Sequence, residues 1–594
     1  MTTRHHRLAA TLFAVAFAFV CAIAFARAAE VLSVADIAEM RAIDTDGLAD
    51  GQQVSVAGYD AGGDVGGGVF CWDTDCARAD DGGTVFAADG REEGRWVRVG
   101  VDTIEWQDFG LSQSTMTGRE FQAPFDHGIA NGFTDFVLPD HDLTLTGPVV
   151  FTIPEGVSGP IRIVGDGRIS FEYPWPQEQR QVLFRVVGNG SATVEIRLDL
   201  YGAGMGRYPD QLRIMTGLRL EALPSSTVRL HVEEMYGFGL RIYDSPGSDL
   251  YVTAVNCDGQ KTSKDAETGA FDNYGDGIYV ATTDVTLHSP SVSTVNGGRG
   301  GIVFESFESS TSGRVLNPRV SGYDRGIHVE GGRDTSGNVI IEGGEIIDCN
   351  AGVWNFSRGG VVTCRGVAFE CHRQVSHRAI APEVLAYVST YQSLSKTVTE
   401  GCTFRTNEHP VQARAISNSG SHVSIGDRFQ AGSGRIDCYN ASLFSLSQFS
   451  GYSDAEIQLW NTQVAHIFDG HWAGSILLPR TNHFRVENML MRVPEGGRFC
   501  GTITATNKQG GIVSNIEFQN PESYCIDNHR AQGGGALPVY EAIKAVRQTA
   551  ESSPRILRYE PTEEGAHDYR SSLPSCIVDE VDEGVKTIPA RDSD

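Results

Sequence analysis

Gly217-Leu-Arg-Leu-Glu221, Gly239-Leu-Arg-Ile-Tyr243, Gly277-Ile-Tyr-Val-Ala281, Gly301-Ile-Val-Phe-Glu305 and Gly326-Ile-His-Val-Glu330 superimpose without gaps, and Gly352-Val-Trp-Asn-Phe356 continues the series. The steps between their glycines are 22, 38, 24, 25 and 26 residues; the long step holds a polar insertion near Asn256 to Gly275. A recurring unit of this length predicts a solenoid. Alternation after each glycine predicts one strand per unit.

Strand alternation sorts these residues onto two faces. Leu218, Leu240, Ile278, Ile302, Ile327 and Val353 share one face with Leu220, Ile242, Val280, Phe304 and Val329, which makes it the interior; Asn355 is the exception. The other face carries Arg219, Arg241, Tyr279, Val303, His328 and Trp354 in one column, and Glu221, Tyr243, Ala281, Glu305, Glu330 and Phe356 in the next. Strands stack about 4.8 Å apart, so this second face reads as a continuous surface of carboxylates, guanidiniums, an imidazole and aromatic rings.

Glu305 and Glu330 fall side by side in that surface. Carboxylates this close disfavour joint ionisation. One acid beside one carboxylate is what glycosidic cleavage requires, with retention or inversion depending on their separation. Asp276 and Asp324 border the same edge as substitute partners, and Arg299, Arg325 and His328 would bind or tune. Tyr279, Trp354, Arg241 and Tyr243 would receive sugar faces and hydroxyls. The bland alternative is a solvated column of glutamates neutralised by Arg299, Arg325 or His328, with turn aspartates serving backbone hydrogen bonds.

Residues 1–28 read as an export signal: Arg4 and Arg7, an apolar run from Leu8 to Phe25, then Ala26-Arg27-Ala28 as the cleavage motif. A membrane anchor is the alternative, and no later stretch is long and apolar enough to span a bilayer. The expectation is a secreted or periplasmic chain. With 75 acidic against 48 basic residues, net charge −27, nucleic-acid binding is disfavoured. Sixty-nine glycines and 22 prolines suit strands and turns. Eleven cysteines follow the signal, an odd number; Cys71 and Cys76 are spaced for a local disulfide. No spacing suggests a structural metal.

Residues 32–104 predict a small β module. Gly62-Gly-Asp64, Gly66-Gly-Gly-Val-Phe70, Asp80-Asp-Gly-Gly-Thr84 and Gly94-Arg-Trp-Val-Arg98, followed by Trp106-Gln-Asp-Phe-Gly110, resemble the leader of phage tailspike-like proteins in the pectate-lyase-like superfamily. The family's usual Gly-Asp-Gly and Asp-Asp-Thr are replaced here by Leu111-Ser-Gln-Ser-Thr-Met-Thr117. The resemblance implies an all-β, right-handed parallel β-helix that degrades a polysaccharide, and a homotrimer by analogy. It brings no residue signature: the polygalacturonase motifs are absent from the ladder. Hydrolysis is the first expectation, with no cofactor. A lyase acting by β-elimination on uronates, with a calcium ion possible, is the second. A non-catalytic carbohydrate-binding surface protein is the third.

Phe121 to Asn131 predicts a short capping helix. The solenoid is expected over 105–530, and 531–594 as a helix from Pro538 to Ala550 followed by an acidic tail.

Overall fold

The computed structural model describes residues 31–558, apart from 64, 173–180, 203–214, 259–274, 296, 307, 332–335, 372–385, 391–393, 407–413, 431–434, 452–455, 493–502, 507–510, 520–523, 528–538 and 547–554. The expected signal, most of the polar insertion and the acidic tail lie outside the described residues. Two compact units divide the chain: residues up to Leu143 with Arg162–Gly167, and the remainder.

In the first unit, a five-stranded sheet runs in the order Leu32–Val34, Gln53–Val56, Gly68–Asp73, Arg95–Arg98, Val85–Phe86. Its core is Met40, Val54, Phe70, Phe86 and Trp96, all inaccessible to solvent. The motif residues have structural work. Asp81 accepts from the backbone N–H groups of Gly83, Thr84 and Val85 and from the Thr84 hydroxyl, closing the turn. Arg98 donates to the carbonyls of Gly66 and Gly67, its charge balanced by Asp108 at 3.3 Å. Cys71 and Cys76 are free thiols, so the disulfide allowed by their spacing is not formed. The expected helix spans Gly118–Ala130, with Thr117 and Glu120 forming a reciprocal capping box at its start.

The second unit is a parallel β-helix. A sixteen-stranded parallel sheet takes one strand per coil, from Val149–Thr152 to Arg555–Arg558. Two further ladders flank it, for instance Thr311–Leu316 on Gly337–Glu342 and Arg319–Ser321 on Glu345–Ile347. The predicted alignment is the observed register: Leu218, Leu240, Ile278, Ile302, Ile327 and Val353 are successive Cα partners. The column continues through Val388, and Ile436, Ile457, Ile476 and Ile503 extend it further along; all of these side chains are fully buried. Burying each stabilises by roughly 1.5–3 kcal/mol.

The repeating glycine is explained by close approach. A Cβ added at Gly239, Gly277, Gly301 or Gly326 would stand 2.6–2.7 Å from the carbonyl oxygen of the next coil's glycine. At Gly301 it would also meet Val320 Cγ1 at 2.4 Å. Asn355, the exception in the interior pattern, is buried and satisfied: it donates to Lys396 O and Thr397 Oγ1 and accepts from Ser357. It opens a polar stretch of interior that includes Thr399, His422 and Asp427.

Residues 539–546 correct the expected C-terminal helix. Val539–Val546 is a strand paired with Gly511–Gln519, and Arg555–Arg558 pairs with Tyr524–Asp527, so the coils continue past residue 530. The helical spacing of Val539, Ile543 and Val546 yields to the open edge of the preceding coil, where β-branched residues fit a ladder equally well.

Candidate functional site

The second face of the sixteen-stranded sheet carries the candidate residues, and three adjacent strands hold most of them: Asp276–Ala281, Gly300–Ser306 and Arg325–Gly331. Glu305 and Glu330 are Cα partners, as are Val303 and His328. His328 in turn partners Trp354, and Arg241 partners Tyr279. Asp276 opens its strand, partnered by Gly300 and then Arg325.

This face is recessed, unlike the open surface expected from alternation alone. Asp276 and His328 are fully buried, and the Glu305 side chain is 6% exposed against 21% for Glu330. The side chains cover one another. Arg325 lies over Trp354, 4.4 Å from the ring centroid. Tyr279 packs against Phe238 and Tyr243, each 5.8 Å away.

Arg299 binds two carboxylates at once. Its Nε and Nη2 grip Asp276 at 3.0 and 2.6 Å, and the same Nη2 reaches Glu305 Oε2 at 2.6 Å. Two acids facing one guanidinium leave an excess negative charge in a buried place. Burial pushes the Glu305 carboxyl upward, and the Asp276 and Glu330 charges add to this against the pull of Arg299. Gly300 makes the arrangement possible: a Cβ there would sit 2.3 Å from Val303 Cγ2 and 3.3 Å from Asp276 Oδ1.

Glu330 sits in a different setting. His328 Nε2 is 2.8 Å from Glu330 Oε2, and Arg325 Nη1 is 2.6 Å from His328 Nδ1. A guanidinium only donates, so Nδ1 accepts and the imidazole proton lies on Nε2, the nitrogen nearer Glu330. Burial, with the nearby Arg325 and Arg299 charges, holds His328 well below the ordinary imidazole range and hence neutral. Asp324 belongs to a neighbouring cluster: it accepts from Asn350 Nδ2 at 2.8 Å and lies 3.8 Å from Arg325 Nε. The structure therefore brings Asp276, Arg299, Glu305, Glu330, His328 and Arg325 together. Tyr279, Tyr243 and Arg241 stand one and two coils away on the same face.

Gly300, Phe238 and Asn350 were not singled out by the sequence. Gly300 is the one with a readable signal, since it doubles the repeat glycine only in this coil. Among the described residues, no group of three or more His, Cys, Asp or Glu gathers as a metal site. Among them, too, no helix is long and apolar enough to cross a membrane.

Residues 33–101 match the family model of the phage tail protein small four-stranded β-sheet domain. No curated protein matches the chain. Several solved structures are similar to it. The enzymatically active domain of bacteriophage CBA120 tailspike protein 2 aligns at 16% identity and TM-score 0.47, over 70% of this chain and 60% of that one. The tailspike gp49 of Acinetobacter baumannii bacteriophage Fri1, a capsular polysaccharide depolymerase, aligns at 12% identity and TM-score 0.37, over 88% and 76%. Pantoea stewartii WceF, a glycan biofilm modifying enzyme with a tailspike-like parallel β-helix fold, aligns at 16% identity and TM-score 0.35, over 57% and 46%. The chain thus spans 60% of the length of the CBA120 domain.

Proposed function

We propose that this chain degrades a polysaccharide as a glycoside hydrolase, with Glu305 as general acid and Glu330 as general base or nucleophile. One observation carries the reading: two glutamates partnered across adjacent strands have opposite surroundings. Glu305 is buried, with its carboxyl pushed up, which suits a group that must hold a proton until the glycosidic oxygen takes it. Glu330 is the more accessible of the two and has the Nε2 of neutral His328 at 2.8 Å, which suits a carboxylate that attacks the sugar or activates water. Arg299 orients Glu305, and Asp276 orients Arg299. Tyr279, which is only partly buried, offers a ring that complements the C–H faces of sugars, while Trp354 is buried beneath Arg325 and supports that side chain instead.

Elimination is the less supported chemistry. The histidine that would abstract a proton is fully buried and has its lone pair engaged by Arg325. Export through residues 1–28 and action outside the cytoplasm belong to the same proposal. The Fri1 and Pantoea proteins act on capsular polysaccharide and glycan biofilm; the reading here rests on this chain's own carboxylates. The test is a screen of neutral and acidic polysaccharides with product analysis. New reducing ends without ultraviolet-absorbing unsaturated sugars, lost in Glu305→Gln, support hydrolysis at this site. Unsaturated products, or cleavage indifferent to Glu305→Gln, overturn it.

A further inference from the structure

Every other arginine described on this part of the sheet has a carboxylate of the protein within reach. Arg185 and Arg219 share Glu221, each with a 2.6 Å contact. Arg299 has Asp276 and Glu305, and Arg325 has Asp324. Arg241 differs. Among the described residues no carboxylate forms an ion pair with it, and Asp276 acts on it only at longer range; its buried Nε, like those of Arg219 and Arg325, has no hydrogen-bond partner. Three rings surround its guanidinium instead: Phe238 at 4.4 Å, Tyr243 at 5.1 Å and Tyr279 at 5.1 Å. Burial draws its pKa down, against the opposing pull of Tyr243, Tyr279 and Asp276. In a chain of net charge −27, a buried arginine with no directly paired carboxylate is a costly arrangement.

We propose that Arg241 is a subsite for an anionic oxygen group on the sugar chain, a carboxylate or a sulfate ester, so that the substrate is an acidic polysaccharide. This rests on the hydrolase reading for the position of the cleaved bond. Arg241 stands one rung from Tyr279, and Val303 is on the next rung in the same column. Two strand spacings, about 10 Å, thus separate it from the strand bearing Glu305, within the span of an oligosaccharide laid along the sheet. The rings fix the guanidinium plane, and the planar fork pairs bidentately with either group.

Binding tests this separately from cleavage. In the Glu305→Gln background, isothermal titration is run with oligosaccharides from galacturonate polymers, glucuronate-containing capsular polymers and chondroitin sulfate. Each is paired with its carboxyl-reduced or desulfated form. At least one acidic oligosaccharide should bind, and adding Arg241→Gln should weaken it by about tenfold or more, with Arg241→Lys intermediate. The treated form should bind both proteins equally weakly, and whichever treatment abolishes the difference identifies the group. The melting temperature of Arg241→Gln should be unchanged or higher, because an uncompensated charge is removed. Failure of every acidic probe to bind overturns the proposal, as does equal weakening on acidic and treated forms. A lower melting temperature with unaltered binding overturns it too, making Arg241 a packing element. Cleavage surviving in Glu305→Gln would count against the hydrolase assignment alone.

Discussion

Glu305 and Glu330 are Cα partners on neighbouring strands, yet Glu305 is bound by a guanidinium already shared with Asp276, while Glu330 lies 2.8 Å from a neutral imidazole. Equal chemistry in unequal surroundings is the physical basis for assigning them different roles.

Glu305→Gln and Glu330→Gln should each lower kcat by ~100- to 10,000-fold on the hydrolysed polymer, with the fold retained by circular dichroism. Because the Glu305 carboxyl is raised and, in the proposed role, acts protonated, wild-type kcat/KM should fall as pH increases through its pKa. Glu305→Gln should lack that alkaline limb in its residual activity. The same sign governs stability: the proton is held more tightly folded than unfolded, so this contribution is present at low pH and lost as pH rises. Glu305→Gln should therefore melt no lower than wild type at neutral pH.

In the proposed mechanism, His328 acts through Glu330. Its replacement by Gln should reduce kcat by up to roughly 100-fold through misplacement of the carboxylate, with KM little changed. A merely structural histidine would instead show a lowered melting temperature and an unaltered kcat in the surviving folded protein.

Gly301→Ala should destabilise by about 1–3 kcal/mol, the usual range for overpacking, since its Cβ would press on Gly326 O and Val320 Cγ1. Gly359 has no atom within 4 Å of an added Cβ but a φ of +75°, so its alanine variant separates backbone strain from crowding. Thermal denaturation of both checks the distinction.

Asp427, inside the coils, is pushed up to about 6 by burial, although Ser424, Thr399 and the Cys402 N–H all donate to it. Its folded pKa lies above the unfolded one, so stability is lost as pH rises from about 4 to 6. The loss is about 3 kcal/mol for a shift of this size. Asp427→Asn mimics the protonated form. Its stability relative to wild type should improve across that interval and level off by pH 7. His422, brought down to about 3 by burial, runs oppositely: its contribution is present above the ordinary imidazole range and lost as pH falls towards 3. Thr399 contacts both His422 and Asp427, so Asp427→Asn is compared in a His422→Gln background as well.

The repeat was legible because the six coils from Gly217 to Phe356 meet the same two constraints. An apolar side chain must fill each interior place, and a glycine must let each backbone pass its neighbour, so Leu218 through Val353 announce their register. The pairing of Glu305 with Glu330 followed from that register without further information. What alternation could not give is depth. His328 is on the outward parity but fully buried, because Arg325 folds over it towards Trp354. The sharing of Arg299 depends on the side-chain space left by Gly300. At the C-terminus, a 3.6-residue spacing in Val539–Val546 was overridden by pairing with Gly511–Gln519, a contact remote from local propensity.

The glycine carbonyl contacts also make the sheet a ruler. From Gly217 to Gly326 the strands pass so close that an added Cβ would press on the next coil's carbonyl, and parallel pairing sets the interval between successive side chains. A sugar chain laid along this face, as proposed, would meet side chains at regular intervals. Altered specificity would be written in side chains at unchanged positions.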